Sequence, residues 1–176
     1  MSYINDISLS FEQIMFMILI PIALTYVFTG FVGLERQNVG KAAGLSSHVL
    51  VGIGAAGIAI LQRLMYEYQM AEGFTNPEGQ RIIAQVVTGI GFVGAGAIIK
   101  DRAHIRGITT AATLWFSAMV GLVIGSGYLI LGSILGIFMV SLIVIRDFSR
   151  GFNPFKPQAK KIDPTRKVSQ DEDDDE

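Results

Sequence analysis

The chain has 176 residues, 51% of them hydrophobic and 16% charged, with a mean hydropathy of +0.48 and a formal net charge of −1. A single aqueous core in so short a chain has no room for that apolar fraction, so composition excludes an ordinary soluble domain and points to an integral membrane protein. Cysteine is absent, which removes a disulfide framework, a thiolate zinc site and a cysteine nucleophile, and His48 and His104 are the only histidines.

Crossing ~30 Å of hydrocarbon takes roughly 20 apolar residues in a helix, and five segments reach about that length. The first runs from about Ile14 to Leu34. No Lys or Arg precedes it and no small-residue cleavage site follows it, so it reads as a retained first helix rather than a signal peptide. The second runs from about His48 to Tyr66, the third from Ile82 to Ile99, the fourth from Ile108 to Gly125 and the fifth from Tyr128 to Ile145. Gly125, Ser126 and Gly127 form a tight turn that makes a hairpin of the last two. The expected fold is an all-α integral membrane bundle of about five transmembrane helices over residues 14–147. An extracytoplasmic tail of residues 1–13 precedes it, and a disordered, charged cytoplasmic tail of residues 148–176 follows.

Cationic residues set the expected orientation. The N-terminal tail has none; the connection after helix one has Arg36 and Lys41, that after helix three has Lys100, Arg102 and Arg106, and the stretch after helix five carries seven. The turn after helix four has none, and Arg81 ends a loop otherwise marked by Glu67, Glu72 and Glu78. Rich and poor segments alternate with each crossing, which predicts N-terminus out and C-terminus in. The final segment is basic to Lys167 and then closes on Asp171 to Glu176. It reads as a solvated tail whose basic half lies near anionic lipid, or as an acidic divalent-cation sensor.

In helix three, Gly89-Ile90-Gly91-Phe92-Val93-Gly94 matches the dinucleotide-binding pattern, extended by Gly96. That fingerprint needs a preceding strand and an acidic residue about 20 positions on, whereas here Thr109 and Thr110 stand at that distance. Gly89, Gly91, Gly94 and Gly96 therefore read as helix-packing positions, where missing side chains let another backbone approach. Gln85, Gly89, Phe92 and Gly96 share one helical face. Gly121/Gly125 and Gly132/Gly136 repeat the small-xxx-small spacing.

Ionisable and polar groups near apolar spans are costly and so are functional candidates. Glu35 and Arg36 end helix one, His48 opens helix two, Glu78 and Arg81 open helix three, and Gln85 and Thr88 lie inside it. Arg106, Thr109 and Thr110 precede or open helix four, with Thr113 and Ser117 beyond. Each also has a structural reading: an interfacial ion pair, a snorkelling cation, a topology signal, or a hydroxyl bonded back to its own helix. Gln85 lies at hydrocarbon depth, and the sharper expectation is a bundle-lining cluster of Glu35, Arg81, Gln85 and Thr88.

Three segments taken together resemble the MgtC/SapB family of bacterial inner-membrane proteins: Gly30-Phe-Val-Gly-Leu-Glu35-Arg36 with Ala43-Gly44-Leu45; Arg81-Ile-Ile-Ala-Gln85 through Gly96-Ala97; and Ile105-Arg106-Gly107-Ile108-Thr109-Thr110 through Trp115. The resemblance covers roughly residues 20–145. It departs at Ser46-Ser47, where relatives commonly carry Arg-Thr, and at Asn76-Pro77-Glu78-Gly79-Gln80-Arg81, where Glu78 takes the place of a usual aspartate. Many relatives add a C-terminal regulatory domain of ferredoxin-like type; this chain carries a short charged tail there.

The resemblance implies a protein of the bacterial inner membrane involved in magnesium homeostasis or stress adaptation. It would modulate other membrane proteins, such as transport ATPases or ATP synthase. Independently of the resemblance, a homo-oligomer, with a dimer as the first expectation, and the lipid bilayer are the expected partners. The alternative is a Mg²⁺ or proton transporter or channel using the polar set as its path. No cofactor and no nucleic-acid partner is expected. An intramembrane enzyme is disfavoured, because no H-E-x-x-H or G-x-S-x-G constellation is present.

Overall fold

The structure, a computed structural model, describes residues 9–75, 80–101 and 104–149. Its five helices are α1 (Phe11–Asn38), α2 (Leu45–Ala71), α3 (Gln80–Gly96), α4 (Ile108–Gly125) and α5 (Leu129–Ser149). A short antiparallel ladder pairs β1 (Ile99–Asp101) with β2 (His104–Arg106) between α3 and α4. The all-α bundle expected from hydropathy is present. Hydropathy does not announce the ladder, because strands of three residues are too short to show an alternation.

Local chemistry fixes the helix ends. α1 starts at Phe11, inside the stretch expected to be a tail, because Ser10 and Gln13 form a reciprocal capping box. A π-helical turn at Met15–Leu19 widens the helix just before Pro21, which has no N–H to donate into the regular ladder. α5 continues past residue 147 to Ser149. Gly127, at φ +94°, makes the turn between α4 and α5.

Four of the helices, α1, α2, α4 and α5, are long and apolar enough to cross a membrane. α3 is shorter, with 17 residues, about 25 Å at 1.5 Å per residue. It stops before the expected Ile99 because the chain turns at Ala97 and enters β1.

α4 is the central helix: 61% of its span is buried, against 22–28% in the other three long helices. On one side Val120 and Ile124 join Val32 of α1 and Met139 and Ile143 of α5. On the other, Ala118 and Leu122 meet Ala55 and Ala59 of α2, with Ile83, Val86, Val87 and Ile90 of α3 packed against them. Small residues make the approach of α2 and α4 close. A side chain at Gly121 would collide with the Gly52 carbonyl oxygen, and one at Gly125 with that of Ala56. Gly132 likewise rests on Ile124 and Gly136 on the Phe28 ring. The α4 and α5 glycine pairs are thus helix-packing positions, as their spacing predicts.

Gly121→Val should lower stability in detergent by about 1–3 kcal/mol through backbone overlap, read by SDS or thermal unfolding. Gly54→Ala, in open space in α2, should leave it unchanged or raise it by up to about 1 kcal/mol through helix propensity.

Candidate functional site

The most polar part of the interior lies where the end of α1, the starts of α2 and α4 and the end of α5 come together. Two periodicities bring charge there. On α1 the buried positions Thr25, Thr29, Val32 and Arg36 recur at i, i+4, i+7 and i+11, and on α5 Gly132, Gly136, Met139, Ile143 and Asp147 do the same. Each stripe faces the bundle and ends on a charged residue.

Glu35 and Arg36 are 2% and 0% exposed, and Asp147 is 2% exposed. Both Nε and Nη2 of Arg36 donate to the Glu35 carboxylate. Arg146 donates from Nη2 and Nε to Asp147 Oδ1 at 2.6 and 2.9 Å, and from Nη2 to Glu35 Oε1 at 3.4 Å. Arg36 Nη2 lies 3.8 Å from Asp147 Oδ1. Two cations and two anions thus form one neutral cluster that joins α1 to α5. A buried charge is tolerable only when so paired, because it has lost its hydration and the low-dielectric surroundings offer little in return. Arg36 Nη1 and Asp147 Oδ2 remain buried without a hydrogen-bond partner among the described residues.

His48, fully buried on α2, links α2 to α4. Its Nδ1 lies 2.8 Å from the Gly44 carbonyl oxygen and its Nε2 3.0 Å from Thr113 Oγ1. A carbonyl only accepts, so Nδ1 carries the proton, and in the neutral ring Nε2 accepts from the Thr113 hydroxyl. That hydroxyl is also 3.0 Å from the Thr110 carbonyl, so it has two acceptors in reach. Deeper in the bundle, Thr29 donates to the Thr25 carbonyl at 2.7 Å, while the hydroxyls of Thr25 and Ser117 are buried without a hydrogen-bond partner among the described residues. Among the described residues no group of three or more His, Cys, Asp or Glu is placed to hold a metal ion.

The residues singled out from the sequence divide between inside and outside. Glu35, Arg36 and Thr110 are buried at this end of the bundle. Arg106 and Thr109 are exposed at its rim. Gln85 and Thr88 are exposed on α3, as is Arg81, and Thr88 donates to its own helix at the Ala84 carbonyl. The expected bundle-lining cluster of Glu35, Arg81, Gln85 and Thr88 is therefore corrected: Ile83, Val86, Val87 and Ile90 occupy the inward side of α3, which leaves Arg81, Gln85 and Thr88 on its exposed side. The α3 glycines divide within the single chain. Gly94 meets Ala111, but Gly89, Gly91 and Gly96 have open space beside them. Glu78 lies outside the described residues. Arg146, counted in the sequence only among the seven cations after helix five, and Asp147, not singled out from the sequence, belong to the cluster. The signal that finds Asp147 is the α5 stripe, which continues in register past the last apolar residue.

Thr113→Val should cost about 1–3 kcal/mol by leaving the His48 ring nitrogen unsatisfied, whereas His48→Leu together with Thr113→Val should cost less than the sum of the single changes. Unfolding of the three variants in detergent checks this.

Residues 22–151 match the MgtC family. The chain is 42% identical over 126 residues to "Putative magnesium transporter YhiD" of Escherichia coli K12, covering 72% of this chain and 58% of that protein. It is 37% identical over 121 residues to "Protein MgtC" of Brucella abortus, covering 69% and 48%, and 38% identical over 117 residues to "Protein MgtC" of Salmonella typhimurium, covering 66% and 46%. The chain thus spans about half the length of the curated relatives it matches. No solved structure matches it. With the family match covering most of the helical bundle, the chain belongs to the MgtC family, as a multi-pass protein of the bacterial inner membrane.

Proposed function

We propose that this protein acts in magnesium homeostasis or stress adaptation as a non-enzymatic membrane regulator, docking on other membrane proteins such as transport ATPases or ATP synthase. The supporting observation is the outer face of α3. This helix is held to the bundle on one side only, and its other side exposes Gln85, Gly89, Phe92 and Gly96, with Phe92 84% exposed. An amide at hydrocarbon depth gains from a hydrogen-bonding partner, and flanking glycines let a foreign helix approach to backbone distance. Phe92 supplies a knob beside those two gaps. The same face suits a second copy of the chain. Cation distribution supports a bundle with its N-terminus outside and C-terminus inside, so that the buried charge cluster lies at the cytoplasmic end.

The name of one relative, a putative magnesium transporter, favours a magnesium connection. Transport of Mg²⁺ or protons is the second reading, favoured by Arg36 Nη1, Asp147 Oδ2 and the Ser117 hydroxyl, which are buried without a hydrogen-bond partner among the described residues. Against it, the buried carboxylates of Glu35 and Asp147 are already neutralised by two guanidinium groups, which lowers their attraction for a further cation.

A photo-crosslinker replacing Phe92 in native membranes should capture a different membrane protein, and one replacing Ile137, on the outer side of α5, should not. Capture of lipid or self alone, or Mg²⁺ or proton flux in liposomes of the purified protein, contradicts the regulatory reading. Gln85→Leu and Gly89→Ile should both abolish growth support in low magnesium while inserting normally. Wild-type growth would remove this face from the function.

A further inference from the structure

We propose that a phospholipid with an anionic headgroup binds lengthwise in the groove between α4 and α5. The groove has a volume of about 390 Å³ and is walled by both helices of the hairpin. Because the two run antiparallel, its chemistry is graded. Thr109 and Thr113 from the start of α4 and Arg146 from the end of α5 form one end, and Phe116 with Met139 forms the other. Seven residues of helix separate the two ends, about 10 Å at 1.5 Å per residue. This is the polarity of a phospholipid entering from the membrane boundary, headgroup first on the polar end and chain along the apolar one.

The edges of the groove face outward: Leu142 is 53% exposed, and Thr109 and Ala112 are exposed. Its volume lies at the small end of the range for ligand sites. Arg146 is the charged residue that lines the groove. It is held in place by Asp147 and Glu35 yet keeps 23% side-chain exposure. Lys100 and Arg106 are exposed on the ladder that leads into α4. Ile99, Ile105 and Ile108 around them are 58–61% exposed, so each face of the ladder presents one isoleucine and one cation, a composition suited to the headgroup boundary. Gly107, at φ +90° and packed on the Ala97 carbonyl, fixes the ladder at the start of α4. Since Arg146 also bonds Glu35 of the buried cluster, an occupant of the groove touches the residue that joins α5 to α1.

The test is native mass spectrometry of the full chain, delipidated in detergent and titrated with phosphatidylglycerol or phosphatidylcholine. Arg146 at the polar end should make retention of the anionic lipid about fivefold stronger than that of the neutral one. Filling the groove by Leu142→Trp, or by Ala112→Leu in a second variant, should abolish that preference with unchanged helical circular dichroism. Ile137→Trp, on the opposite side of α5, should preserve it, and Arg106→Gln should weaken it. Equal retention of both lipids, an undiminished preference in both groove-filling variants, or displacement by inorganic phosphate would overturn the proposal.

Discussion

Four charges inside a membrane bundle constrain everything around them. Glu35 and Arg36 at the end of α1 and Asp147 at the end of α5 are pulled out of water, and with the part-exposed Arg146 they form two cations and two anions bonded to one another. Removing any one leaves an uncompensated charge in a low-dielectric setting, which typically costs several kcal/mol. The cluster therefore fixes the ends of the first and last helices against each other. α4, between them, completes the layer through Thr113 and its bond to His48. Deeper in the bundle polar bonding gives way to contact between backbones, with Gly121 and Gly125 laid against Gly52 and Ala56. One end is held by charge, the middle by the absence of side chains.

Much of this is legible in the sequence, because the bilayer leaves few alternatives to helices. Apolar run length marks all five helices, and the end points of α4 coincide with its apolar run. The spacing of Gly121 with Gly125 and of Gly132 with Gly136 identifies true contact surfaces. The direction of α3 is another matter. Its sequence carries two plausible faces, an aliphatic one through Ile83, Val87 and Ile90 and a glycine face through Gly89 and Gly96. In the single chain the aliphatic face wins, since it buries more surface against α2 and α4. Gln85 goes outward with the glycines. Long-range pairing is equally invisible to local pattern: Glu35 and Arg146 lie 111 residues apart, and counting Arg146 as a topology signal conceals that it points inward.

The result is a molecule whose interior and exterior carry different chemistry. Inside, charge is matched and enclosed. Outside, α3 presents a polar amide among glycines, and the α4–α5 hairpin offers an amphipathic groove with Arg146 at its polar end. Membership of the MgtC family places such a bundle in the bacterial inner membrane. A matched interior beside two unmatched surfaces suits a protein that acts through what it touches within the membrane. Arg146 is the residue where the two meet, bonded inward to Glu35 and Asp147 and facing the groove on its other side.

The union of α1 and α5 through buried charge is tested most directly by a double-mutant cycle on Glu35→Gln and Arg146→Gln, with unfolding free energies measured in detergent. If the two side chains share one network, the double variant loses less than the sum of the singles, with a coupling of about 0.5–3 kcal/mol. Strict additivity would mean that Glu35 and Arg146 do not interact, and that the helices are held together by something other than the cluster.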